Sequence, residues 1–279
     1  MRRSRSARRY EDLGGEIHYK SQVERILVER QAGKARAVGV RLYSNAVHRA
    51  DTVISAADGH ATIFNMLGGE FVNRQIKGYY DGHLPVYSQF QVSLGVKRDL
   101  SAEPHWATYL LDEPALIAGE EYRAIGVKHY CFDPSLAPAG KSAVSVMLRS
   151  NYDYWQNIYG RRPYDTEQTE VSDQVIAFLE RRYGGLRGDI EIVDEATPLS
   201  YERYTGSWQG SSTGWLLTTR TMPLNITGMP KTLPGLANFT MCGQWVEPGG
   251  MVPVVAMSGR NAIQLLCHTD RKPFVTTTP

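Results

Sequence analysis

The chain has 279 residues, 42% hydrophobic and 22% charged, the balance of a folded globular protein, which excludes disordered and fibrous classes. Its formal net charge of +2 excludes a nucleic-acid binder argued from overall charge, and Arg2, Arg3, Arg5, Arg8 and Arg9 read as a local solvated helix face. No stretch approaches the roughly 18 apolar residues of a membrane span, and no apolar run follows the arginines as in a signal peptide. The expected location is therefore cytoplasmic.

In chain order, residues 6–13 predict the last turns of a helix stopped by Gly14 and Gly15. Residues 16–20 and 23–29 read as strands, a turn follows over 31–34, and Val38, Val40 and Leu42 alternate as one face of the next strand, which together make a β-meander. Residues 51–56 form a short apolar strand, and Asp58 is placed to cap a helix carrying Ala61, Phe64 and Leu67. Between Met66 and Pro234 the character changes, because 13 of the 16 tyrosines and 4 of the 5 tryptophans lie there. Alternation over 86–96, 122–132 and 143–148 predicts a mostly antiparallel sheet. Residues 165–183 predict the clearest helix, with Val171, Val175, Phe178, Leu179 and Arg182 at helical spacing and Gly184 and Gly185 ending it. The run YDYWQNIYGRRPY over 152–164 reads as a solvent-exposed loop; its aromatics beside Arg161 and Arg162 make peripheral contact with a bilayer the alternative.

Residues 238–267 carry the most chemistry. Residues 239–242 read as a strand ended by Gly243, then Pro248, Gly249 and Gly250 make a tight turn, and Pro253 suits the first position of a helix. Val255, Gly259, Ala262, Ile263 and Leu266 mark its apolar face. A strand, a glycine turn and a helix N-terminus form a site for an electron-rich group, since free N–H groups and the positive dipole end point the same way. An αβ corner with no ligand has the same local pattern.

Other patterns carry less. Cys131, Cys242 and Cys267 are far apart and read as buried thiols; with seven scattered histidines they match no metal spacing, and no metal is expected. Ala139-Gly140-Lys141-Ser142 ends like a phosphate loop, but Ser135 occupies the first glycine position and a strand pattern follows, so a turn between strands is expected. Gly210-Ser211-Ser212-Thr213-Gly214 fits GxSxG, with Glu247 and His268 in hydrolase order. The flanking residues lack a strand-to-helix elbow, which leaves Ser212 as a nucleophile only in a remote serine-hydrolase alternative.

Three groups of segments carry a family resemblance: LGGEIHYKSQVERILVE with AVGVRL and ADTVISAADGHAT; DPSLAPAGKSAVSVM with TPLSYERYTGSWQGSSTGW; and GQWVEPGGMVPVVAMSGRNA. They are spread over nearly the whole chain, and they resemble the later half of the phytoene desaturase and carotenoid isomerase-like FAD-dependent oxidoreductases. The resemblance implies an α/β (α+β) fold, a partial FAD-binding domain of glutathione-reductase type with an inserted, mostly antiparallel substrate domain. It divides the chain into 1–65 (FAD-binding), 66–234 (substrate-binding) and 235–279 (return to the FAD-binding domain). It also implies FAD contacts at Val23, Gly243, Gln244, Gly250, Met251, Pro253 and Val254, mostly through main chain. Gln244 stands where many related flavoenzymes carry an acidic residue. No acid or base is assigned.

The family's opening GxGxxG unit, which holds the FAD diphosphate, has no counterpart in this sequence. The expectation is a C-terminal portion or one half of a split enzyme, completed by a polypeptide carrying GxGxxG and acting on a carotenoid, retinoid or other long isoprenoid. A flavin-less binding or interaction subunit is the alternative.

Overall fold

A computed structural model describes residues 5–161 and 163–276; Arg2, Arg3 and Arg162, part of the basic readings above, lie outside the described residues. The chain runs α1 (Arg5–Asp12), β1 (Val23–Gln31), β2 (Lys34–Leu42), β3 (Val47–Arg49), β4 (Val53–Ser55), α2 (Arg74–Gly78), β5 (Val86–Val96), β6 (Trp106–Ile117), β7 (Glu120–His129) and β8 (Ser142–Arg149). It continues through α3 (Tyr152–Ile158), α4 (Pro163–Tyr183), β9 (Ile190–Ala196), α5 (Pro198–Thr205), β10 (Ser211–Trp215), α6 (Met222–Thr227), β11 (Leu236–Ala237), β12 (Phe239–Met241) and α7 (Val252–Thr269). Two compact units result. The first comprises residues up to Asp81, Met229–Val246 and residues from Val255 on; the second comprises Gly82–Gly228 and Glu247–Val254.

In the first unit β1 and β2 form an antiparallel hairpin, with Val23 opposite Leu42 and Gln31 opposite Lys34. β3 pairs antiparallel with β2 and β11 pairs parallel with it, Leu236 opposite Ala35. The buried face of β2 is the small-residue face, Ala35 and Ala37, which shares a core with Ile63, Phe71, Leu236 and Phe239. Val38 is half-buried, while Val40 packs against the same core and Leu42 is buried, so the expected face is kept in part. Residues 16–20 are not a strand. They link α1 to β1 irregularly, with Lys20 left-handed at φ 57. Asp58 accepts the Ala61 N–H at 2.8 Å as expected, but the helix it caps is a π-helical turn, Ala61–Met66. That winding shifts the phase, so Thr62 and Ile63 are buried in place of Ala61 and Phe64.

The second unit is a six-stranded sheet in the order β10-β5-β8-β7-β6, with β9 pairing β5 beyond β10. Its described strand pairs are antiparallel, as alternation predicts. One face carries Phe90, Val92, Leu94 and Val96 of β5 with Val144, Val146 and Leu148 of β8, covered by Val171, Val175 and Leu179 of α4. The alternate positions Gln89, Gln91 and Ser93 fall on the other face.

The 152–164 run corrects the loop reading. Asn151 accepts the Asp153 and Tyr154 N–H groups and starts α3, which carries Trp155 into the core at 0% exposure. Trp155 stacks on Phe90 at 5.0 Å and donates from Nε1 to Ser150 Oγ at 2.8 Å. Trp155 therefore serves packing. The three cysteines are half-buried and free, not fully buried. Residues 138–141 turn into β8 as expected, and no described helix is long and apolar enough to cross a membrane.

Trp155→Ala should destabilise the second unit by about 3–5 kcal/mol, measured by urea denaturation, whereas an exposed loop tryptophan would cost far less. Glu180 accepts the Gly185 and Arg187 N–H groups, each at 2.7 Å, and these bonds hold its carboxyl below the usual range. Its folded value is below its unfolded one, so its stabilisation is complete above about pH 4.3 and is lost as pH falls through the folded value. Glu180→Gln should flatten the stability profile in that acid window, as followed by denaturation at stepped pH.

Candidate flavin-contacting site

In the first unit the C-terminal segment returns through β12, which pairs parallel with β4 so that Phe239, Thr240 and Met241 stand opposite Val53, Ile54 and Ser55. The Cys242 N–H donates to Ser55 O at 2.9 Å, and burial pushes the Cys242 thiol up. The chain then turns at Gly243, φ 102, a conformation that favours glycine. Its N–H donates to Ser258 Oγ at 2.9 Å, and Ser258 is fully buried on α7. Sequence reasoning reserved Gly243 for a ligand; here its N–H ties β12 to α7. Gln244 follows half-buried.

Trp245 is the residue that sequence reasoning missed at this turn. It is buried and stacks with Tyr80 at 6.2 Å, and Tyr80 in turn meets Phe64 and His60 edge-on. Burial, and then the charge of Asp58, push the Tyr80 hydroxyl well above the usual tyrosine range. The signal available in sequence was a lone tryptophan inside GQWVEPGG.

In the second unit Gly249 (φ 91), Gly250 (φ 51) and Met251 (φ 71) are three successive left-handed residues. A non-glycine residue such as Met251 is uncommon there, and such strain clusters at functional sites. The turn is seated on β10: a Cβ built on Gly250 would lie 2.6 Å from Thr213 O and 2.9 Å from Thr213 Cβ. Met251 stays 68% exposed. α7 begins immediately after, with Pro253 second and no acidic residue in its first turn, so the positive dipole end is not neutralised from within the turn.

Of the predicted contacts, Gly250, Met251, Pro253 and Val254 are therefore brought together on one turn of the second unit. Gly243 and Gln244 lie on the separate turn of the first unit, and Val23 opens β1, half-buried opposite Leu42 and followed by a bulge. A cleft of about 290 Å³ beside β1 is lined from Arg25 onward and includes Arg41 and Phe71, without Val23. On α7 the buried residues are Ser258 and Ala262, and the expected apolar position Ile263 is 41% exposed. The small Ser258 gives the close approach to Gly243, which rotates Ile263 outward.

The serine-hydrolase alternative fails on context. Ser212 lies inside strand β10, not on a strand-to-helix elbow, and its buried Oγ has no hydrogen-bond partner among the described residues. No histidine base is engaged. Nor do three or more His, Cys, Asp or Glu side chains gather as a possible metal site among the described residues.

No family model matches the sequence. A search of curated proteins finds prolycopene isomerase of Arabidopsis thaliana, 26% identical over 89% of this chain and 41% of the relative. It also finds a 4,4'-diapophytoene desaturase of a Methylomonas species, 26% identical over 94% of this chain and 51% of the relative. The chain is similar to carotenoid isomerases and desaturases. Among solved structures, an oxidoreductase from Methanosarcina mazei aligns with TM-score 0.60 at 18% identity, covering 91% of this chain and 51% of that one. Cyclohexylamine oxidase from Brevibacterium oxydans aligns with TM-score 0.55 at 12% identity, covering 91% and 49%. The chain shares its fold with about half of each of these two structures, and it spans about half the length, or less, of the curated relatives it matches.

Gly250→Ala places a methyl against Thr213 and a β-carbon at positive φ, so it should destabilise the second unit by about 2 kcal/mol or more. Gly140→Ala, also at positive φ but with open space around it, should cost only about 1 kcal/mol. Urea denaturation of the pair measures the difference.

Proposed function

We propose that this chain supplies the later half of a FAD-binding domain, its first unit, and the substrate-binding domain, its second unit, of an oxidoreductase acting on a carotenoid or other long isoprenoid. The observation that carries the reading is the left-handed Gly249-Gly250-Met251 turn, seated on β10 and running into the acid-free start of α7. A backbone turn fixed by its packing on Thr213 and running into a helix N-terminus with no acidic residue in its first turn suits the edge of a flavin ring that gains negative charge on reduction. The printed activities of the relatives, isomerisation of prolycopene and desaturation of diapophytoene, indicate a polyene as the substrate class.

FAD, when bound, would supply the two-electron chemistry. The backbone of Gly250, Met251, Pro253 and Val254 would hold the ring edge, and Val23 would pass the adenosine end. The start of α7 favours negative charge by up to about 2 kcal/mol when partly buried. At about 1.4 kcal/mol per 30 mV this raises a two-electron potential by roughly 40 mV. The helix end thus tunes the cofactor and leaves the choice of reaction to substrate placement.

We assign the diphosphate contacts to a GxGxxG unit outside this sequence, on the same or another polypeptide. Within the first unit, the two-stranded parallel sheet β4/β12 supports this. Parallel sheets are normally larger and covered on both faces, yet Ile54 of β4 and Met257, Ile263 and Leu265 of α7 are exposed. Purified by itself, the chain should carry no stoichiometric FAD; purified with a GxGxxG-bearing unit from a relative, it should return yellow with about one flavin per pair. Stoichiometric flavin on the lone chain would overturn the division of the site. Stable association without flavin would favour a flavin-less binding subunit.

A further inference from the structure

The second unit holds a cleft of about 880 Å³, bounded by β9, α3 and α5, that the flavin reading does not use. Its charge is unbalanced: Asp194, Glu195 and Glu202 line it against Arg203 alone.

Hydrogen bonding decides which chemistry the cleft has left over. The Tyr201 hydroxyl accepts from Gln89 Nε2 at 2.6 Å and donates to Gln91 Oε1 at 2.6 Å, so its one proton is spent within the floor. The Tyr152 hydroxyl donates to Glu202 Oε2 at 2.5 Å, and burial followed by that bond raises its pKa, which keeps it a neutral donor to Glu202. Glu202 Oε1 also accepts the Gln209 N–H at 3.2 Å, so this carboxylate is fixed from both sides. Glu195 accepts from Ser172 through one oxygen and keeps the other. The Asp194 side chain has no hydrogen bond or ion pair among the described residues. The Tyr201 and Tyr152 hydroxyl protons are thus consumed while Asp194 and the second Glu195 oxygen keep acceptor capacity, and three carboxylates line the cleft with the single guanidinium of Arg203.

The aromatic walls complete the pattern. Tyr159 and Tyr204 are 61% and 81% exposed, so their rings face the cleft or solvent and not a core. The chain already sets one cation on such a ring, with the Arg203 guanidinium carbon 5.7 Å from the Tyr204 ring centre. Carboxylates beside exposed tyrosine faces are the groups that recognise an ammonium whose substituents prevent tight hydration.

We propose that this cleft binds a small organic ammonium, held by Asp194 and Glu202 and stacked against the tyrosine faces. The site is independent of the flavin reading and stands or falls without it.

The test titrates the full chain with choline chloride at constant ionic strength, against sodium chloride and against 3,3-dimethyl-1-butanol, the neutral carbon isostere, reading chemical shifts or tyrosine fluorescence. Choline should saturate in the millimolar range and the isostere should bind about fivefold more weakly or not at all. Asp194→Asn and Tyr204→Ala, both at exposed positions, should each weaken choline about three- to fivefold. An equal response to choline and the isostere, no saturation, or unchanged affinity in both variants would overturn the proposal. Unfolding curves of the two variants should match the parent, which separates lost binding from lost structure.

Discussion

The first unit depends on one short pairing. β12 lies parallel to β4 over three residues, and Asn238 Nδ2 donates to Asp51 O at 2.6 Å across 187 positions of sequence. Closing a loop of that length has a length-dependent cost of roughly 5 kcal/mol. Three backbone pairs do not offset it by themselves; Leu236, Phe239 and Met241, all buried in the same core, contribute about 1.5–3 kcal/mol each. The apolar side chains of the returning segment therefore hold the strand in place, and the strand fixes where Gly243 turns and where α7 packs.

Two turns are anchored separately, one in each unit. Gly243 is tied to Ser258 on α7, and Trp245 is clamped against Tyr80. Gly249 and Gly250 rest on Leu217 and Thr213. The strained residue, Met251, sits immediately after the second anchor and before the helix start, so its left-handed backbone is held by its neighbours and not by its own exposed side chain. The start of α7 is thus exposed while its backbone is fixed.

Much of this was legible in the sequence, for identifiable reasons. Glycine and proline report backbone conformation directly, so Gly243, Gly250 and Pro253 marked the turns and the helix start correctly. Strong alternation marked β5 and β8, and helical spacing marked α4. What could not be read were properties set by neighbours. Trp155 reads as a loop residue until α3 carries it onto Phe90, and Gly243 reads as a cofactor contact with no sign that its N–H is held by Ser258. Residues 16–20 alternate like a strand but enter no described sheet, and on β2 the small Ala35 and Ala37 are buried as well as Leu42 of the expected face. The family resemblance supplied what the residues alone did not, the expectation that the electron-rich ligand is a flavin.

Amide hydrogen exchange across residues 243–255, in the chain joined to a GxGxxG-bearing unit and compared with and without FAD, tests the central claim most directly. The account predicts slowed exchange at the Met251, Val252 and Val254 amides when the flavin binds, with little change at Gly243, whose N–H is already held by Ser258. Bound flavin with unchanged exchange at those three amides would contradict it.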